Sequence, residues 1–283
     1  MNRVVELFGV PTVSQEADWK GIVESQKCPF TGRTCYKVRK SEPNVSIGTC
    51  IVSHGRFEAP LIICPARFLK QRQIFTDCLH LLTLHEPGNE LHIVSEVFVP
   101  GGSVDYFLVS VREGQVKDFV GIEVQAVDTT GTVWDARQQF LQEVGVVVPG
   151  TSPSLQRRYG VNWKMTAKTT LVQMFHKVET FENISKRLVL VVQEQLLEYM
   201  QTEFDFTHLH APARVGDSFH LHAYRLASRE NSSLTLDLYM RLSTDAAGVA
   251  RCLGLRAEVK VELEQIVKAL QARISEATRF SPV

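Results

Sequence analysis

Between residues 91 and 127 three apolar runs follow one another with little between them: LHIVSEVFV at 91–99, VDYFLVSVR at 104–112 and DFVGIEVQAV at 118–127. β-Branched and aromatic residues dominate each run, and GGS and REGQ separate them as hairpin loops would. Such a stretch predicts three consecutive strands side by side and excludes an all-helical fold. Upstream, RFLKQRQIFTDCLHLLTL at 67–84 repeats apolar residues at helical spacing (Phe68, Ile74, Phe75, Cys78, Leu79, Leu82) until EPGN at 86–89 stops it. Downstream, KMTAKTTLVQMFHKV at 164–178 predicts a second helix and KRLVLVVQ at 186–193 a buried strand. The order is helix, three strands, helix, strand, which makes the chain α/β. After it come a helix at EQLLEYM, two strand-like runs, SFHLHAYRL and SLTLDLYMRL, and a closing amphipathic helix at 259–274. The polar, aromatic stretch 128–163 reads as an insertion. Residues 1–65 are turn-rich and look too polar to build a core of their own.

Two of the strands carry carboxylates where apolar residues are expected. Asp105 opens one and Glu123 closes the other, followed two positions on by Gln125. Residues i and i+2 of a strand share a face, so Glu123 and Gln125 point the same way. If the strands are neighbours, all three converge on one spot. An ionised carboxylate is costly to bury unless it is paired or holds a metal. Asp…Glu-x-Gln in this strand order matches the Asp…Glu-x-Lys pattern of metal-dependent nucleases, with an amide in the lysine position. Asp105 and Glu123 would hold Mg²⁺, and the amide would orient a water. Glu96, on the preceding strand, is a further candidate and Glu90 a lesser one. The plain alternative is a pair of strand-end carboxylates facing solvent.

Four of the six cysteines, Cys28, Cys35, Cys50 and Cys64, fall in the turn-rich N-terminal segment. Four thiolates there suit a tetrahedral sulfur site for zinc or iron, which would replace a missing core. Buried free cysteines are the alternative, and the spacing lacks the CxxC knuckle of common zinc modules. Cys78 and Cys252 lie on apolar faces and read as core. His208-x-His210 and His220-x-His222 each put two imidazoles on one strand face, without an evident third ligand.

The formal net charge is zero, but charge is unevenly spread. Residues 27–72 carry nine Lys/Arg against two Asp/Glu, residues 136–190 carry eight against three, and residues 77–135 carry ten acids and two bases. An acidic centre between basic flanks suits a metal site in a surface that attracts phosphates. Within QRRYGVNWKMTAK at 156–168, Arg157, Arg158, Asn162, Lys164 and Lys168 are candidate contacts to double-stranded DNA. The N-terminus lacks the apolar core of a signal peptide, and the longest apolar run, LVLVV, is far too short to span a bilayer. A cytoplasmic protein with no membrane partner is expected.

Taken together, CPFTGRTC, GTCIVSHG, IICPARF, GGSVDYFLV, GIEVQAVDTTGTVWDAR and YGVNWKMTAKTTLVQMFHK resemble the NotI-type restriction endonucleases over roughly residues 25–200. The resemblance implies a prokaryotic, homodimeric type II enzyme that cuts a GC-rich palindrome. It implies a PD-(D/E)XK core, a central mixed sheet flanked by helices, beside a small four-cysteine iron module. Cys28, Cys35, Cys50 and Cys64 would then bind the iron, and Asp105, Glu123, Gln125 and Glu96 would be catalytic. The implied division is a metal-binding module at 1–66, the nuclease core at 67–200 with its insertion at 128–163, and a C-terminal extension at 201–283. The region after Tyr199 shows no such resemblance. A non-catalytic DNA-binding module and a repair nuclease of little sequence preference are the competing functions.

Overall fold

The computed structural model describes residues 3–39, 41–55, 59–146, 159–228 and 234–255. Its N-terminal part contains β1 (Val4–Leu7), β2 (Val10–Pro11), α1 (Trp19–Ser25), β3 (Val38–Arg39), β4 (Glu42–Ser46), β5 (Thr49–His54) and β6 (Ala59–Ile62). The expectation of a coreless segment is corrected here. These residues build a sheet of order β2-β1-β5-β6, and Leu7, Ile51, Val52, Leu61 and Ile62 are buried under it. Its strands are too short for a period to show. Val4 pairs with Val52, a distant contact that no local pattern announces.

The single helix expected over 67–84 is also absent. Two turns of 3₁₀ helix (Pro65–Arg72, then Leu79–Leu81) flank the one-turn α2 (Gln73–Thr76). Gln71 and Arg72 adopt φ of 57° and 56°, left-handed values that end any α-helix. Over so short a stretch, residues that meet every three positions and those that meet every three or four look alike. The coil still buries Phe68, Ile74, Phe75, Cys78 and Leu81. Arg67 anchors it: Nε donates to Glu6 Oε1 at 2.6 Å and Nη2 to the Leu234 carbonyl at 2.7 Å.

The three predicted strands form as expected: β7 (Glu90–Val99), β8 (Gly102–Arg112) and β9 (Gln115–Val124). The stretch read as an insertion contains β10 (Thr129–Thr130), α3 (Trp134–Glu143) and β11 (Gly160–Val161). Next come α4 (Trp163–Asn183), β12 (Arg187–Gln193), α5 (Glu194–Glu203), β13 (Phe219–Ser228), β14 (Leu234–Thr244) and α6 (Ala246–Cys252). The main sheet has the order β14-β13-β12-β9-β8-β7. β9, β12 and β13 run parallel and the remaining pairs antiparallel, so this is a mixed sheet flanked by helices. Central β12 is apolar from Leu188 to Val192 because both faces are covered. Leu188, Leu190 and Val192 pack with α4, α5 and α6, while Val189 and Val191 pack with the N-terminal sheet and the 65–82 coil. The amphipathic run at 259–274 lies outside the described residues. Among the described residues no helix is long and apolar enough to cross a membrane.

His220 and His222 are fully buried on β13, beside His80 and Cys78. Burial holds the His220 imidazole down to about 4 and the His222 imidazole well below its ordinary range. Both are neutral in the folded protein near pH 7. As pH falls below 6.5 the unfolded chain takes up protons that the folded chain refuses, so stability drops and levels off only near pH 4 for His220. From His220 alone the loss at pH 5 is about 2 kcal/mol. Urea unfolding at pH 7.5 and pH 5 should show it, and His220→Gln should lose less over that interval. Equal losses in the two proteins would contradict this assignment.

Candidate active site

The β8–β9 ladder sets the two acids side by side. Tyr106 pairs with Ile122; Asp105 stands one residue before the former and Glu123 one after the latter. Directly opposed residues share a face, so the carboxylates adjoin. Asp105 Oδ2 accepts the Val124 N–H at 2.9 Å. Glu96 comes from the neighbouring strand β7. Ser95 pairs with Tyr106 and Val97 with Val104, an unbroken register that sets Glu96 opposite Asp105, with φ of 56°. A left-handed glutamate in a strand is strained. Burial raises the Asp105 pKa, and the Glu96 charge adds to that shift. Glu90, at the far end of β7, pairs with Val111 and stands apart from this group.

Glu123 is 7% exposed. Burial first, and the Asp105 charge second, push its pKa to about 7. Opposing them is Lys177 of α4, whose Nζ lies 2.6 Å from Glu123 Oε1 and 2.5 Å from the Ser103 carbonyl. The sequence reading missed Lys177. Its signal was present: Thr170, Leu171, Met174, Val178 and Phe181 mark the buried face of α4, and Lys177 falls in that row. A lysine among buried positions needs an acid facing it.

Gln125 lies just beyond β9. Its N–H donates to the Val191 carbonyl at 2.9 Å, and its side-chain Nε2 to the Ala126 carbonyl at 2.6 Å. With Asp105 and Glu123 it lines a cavity of about 330 Å³, together with Lys37, Asp128 and Gln173. A second cavity, about 790 Å³, shares Tyr36, Lys37, Ile63 and Asp128 with the first and adds Arg39 and Thr132. The two form one groove from the carboxylates onto the basic N-terminal segment. Two adjacent, partly buried carboxylates, the charge of Asp105 raising the Glu123 pKa, are a donor set suited to a hard divalent cation.

No described residue of the basic segment at 156–168 lines either cavity. Asn162 is half-buried at the N-terminus of α4, and Lys164 and Lys168 are exposed along its outer side. Arg157 and Arg158 lie outside the described residues. The aromatic members belong to packing: the Tyr159 hydroxyl donates to the Ser53 carbonyl at 2.9 Å, and Trp163 stacks on Tyr199.

Cys28, Cys35, Cys50 and Cys64 are all buried and line one small cavity of about 10 Å³. Cys28 and Cys35 flank the loop around Arg33, Cys50 lies in β5, and Cys64 lies between β6 and the 3₁₀ stretch that starts at Pro65. The Cys50–Cys64 hydrogen bond, helped by Lys37 and Tyr36, holds the Cys64 thiol down to about 6. Among the described residues no three or more His, Cys, Asp or Glu stand at metal-holding geometry. The chemistry of four convergent thiols nevertheless suits a soft metal. Cys78 and Cys252 are buried in the core, as read from the sequence. The two histidine pairs form no metal set; His210 Nδ1 is 2.7 Å from Asp217, and the other pair is packed inside the sheet.

A family model for restriction endonuclease NotI matches residues 22–211, a span that includes all four clustered cysteines, both carboxylates, Gln125 and Lys177. No curated protein matches the chain.

Proposed function

The chain belongs to the NotI restriction endonuclease family, and from that premise we propose that it is a type II enzyme of the PD-(D/E)XK kind making Mg²⁺-dependent double-strand cuts at a GC-rich palindrome. The observation that carries this reading is the juxtaposition of Asp105 and Glu123 at the head of a groove whose far wall holds Lys37 and Arg39. In this proposal Asp105 and Glu123, with Glu96 nearby, hold the cation. When bound, Mg²⁺ would polarise the scissile phosphate and stabilise the leaving oxygen. Gln125 has its amide N–H tied to Ala126, which leaves its carbonyl oxygen to accept a hydrogen bond from the attacking water and orient it. Lys37, Arg39, Asn162, Lys164 and Lys168 position the phosphate backbone, which is sequence-independent work. One hydrolytic centre per chain cannot cut two strands in one register, so a two-fold homodimer is part of the proposal.

Incubating pure protein with plasmid DNA and Mg²⁺ decides among the readings. Discrete bands are expected; a smear would indicate a nuclease without site preference, and unchanged plasmid a binding module. The four cysteines would hold one iron or zinc per chain, with iron favoured by the family. Elemental analysis of fresh protein should give about one metal per chain, and Cys50→Ser should lower that ratio and weaken DNA binding. Metal-free wild-type protein that still binds DNA tightly would remove this part of the proposal.

A further inference from the structure

We propose that Lys177 is a built-in counter-charge for the Asp105–Glu123 pair, supplying from α4 the positive charge that the strand lacks at Gln125. The role rests on the nuclease reading above, and it makes Lys177 a positioning residue acting through Glu123.

Three observations carry it. The ammonium is deeply set, with a side chain only 8% exposed, and both its contacts are specific: Glu123 Oε1 and the Ser103 carbonyl. The backbone around it is shaped to admit it. Gly101 and Gly102 have φ of 95° and 127°, and a Cβ on Gly101 would stand 2.6 Å from the His176 carbonyl oxygen. A Cβ on Gly102 would stand 3.3 Å from Lys177 Cε. Only a bare backbone lets the β7–β8 turn lie against α4 and aim the Ser103 carbonyl at Nζ. Finally, the strand position that carries lysine in the general nuclease pattern is Gln125, which brings no charge. Lys37, the ammonium that lines the cavity, donates to the Ile63 carbonyl and to neither carboxylate.

A purely structural tie between helix and sheet would not require this pair. Well-packed apolar residues of similar volume usually hold such a contact as well as a buried ion pair does. What an apolar pair cannot do is offset the repulsion between two adjacent carboxylates and keep one of them in a single orientation.

The test uses full-length protein and a neutral, hydrogen-bonding replacement, Lys177→Gln, so that charge is removed with little change in shape. Cleavage kcat should fall about a hundredfold while KM for DNA changes little, the size of effect seen when one preorganised electrostatic contact is removed. The double variant Lys177→Gln/Gln125→Lys, which returns the charge from the strand side, should recover at least about tenfold of that loss. Without DNA, Mg²⁺ should raise the thermal midpoint of Lys177→Gln by more than it raises that of the wild type, because the cation then replaces the missing ammonium. A single variant that cuts at the wild-type rate, a double variant no faster than the single, or equal Mg²⁺ shifts would each overturn the proposal. Should wild-type protein cut no DNA at all, the nuclease reading fails, while the comparison of Mg²⁺ shifts still decides the counter-charge role.

Discussion

Asp105→Asn protein should bind its DNA and leave it uncut. The asparagine oxygen can still accept the Val124 N–H that Asp105 Oδ2 accepts at 2.9 Å, so the start of β8 keeps its shape. What disappears is one negative charge from a pair poised for a divalent cation. Losing productive metal binding should cost several kcal/mol of transition-state stabilisation, a rate reduction on the order of a thousandfold or more. DNA affinity should hold or rise, since a charge that repels phosphate has gone. Gln125→Ala should slow the reaction less, because orienting a water contributes less than holding the cation. Gel-shift titration beside a plasmid-cleavage time course separates the two effects. If Asp105→Asn protein cuts near the wild-type rate in Mg²⁺, these carboxylates are ornaments of the strand ends and the nuclease assignment falls.

Arg67→Met should be strongly destabilising. Arg67 and Glu6 form an ion pair with side chains 0% and 1% exposed, and Arg67 also caps the Leu234 carbonyl. It therefore ties β1, the 65–82 coil and β14 together at one buried point. Methionine fills much of the volume but leaves Glu6 without its partner in a site where burial already raises the Glu6 pKa. An uncompensated buried partner costs about 3–5 kcal/mol. The double variant Arg67→Met/Glu6→Leu removes both charges and should regain much of the loss. Urea denaturation of the three proteins measures it; a single variant within about 1 kcal/mol of wild type would show the pair to be dispensable.

The pair Asp105 and Glu123 was legible because acids inside apolar strand runs demand an explanation, and short hairpin loops leave the strands no choice but to adjoin. Glu96 was half-legible. Its strand was evident, but its place opposite Asp105 is a matter of pairing register, settled by the partner strand. Lys177 was legible in part, since it falls in the row of Leu171, Met174, Val178 and Phe181, but which acid faces it is settled only where α4 meets the sheet. The four cysteines suggested a cluster, yet the sheet that carries Cys50 came as a correction, because four-residue strands carry almost no periodic signal.

The sequence by itself determined the β7–β8–β9 meander, helix α4 and the buried strand β12, since each is long enough for alternation, helical spacing or an unbroken apolar run to identify it. It also determined that acids would meet near the end of β9. Tertiary structure alone decided that β13 joins β12 in parallel and that Val4 finds Val52. It alone turned a helix-like run into 3₁₀ coil around the buried Arg67–Glu6 pair, and brought a lysine 54 positions away onto Glu123. Local pattern records what a residue prefers beside its neighbours in the chain. Which distant surfaces cover one another depends on the summed burial of whole faces, and no short stretch of sequence carries that sum.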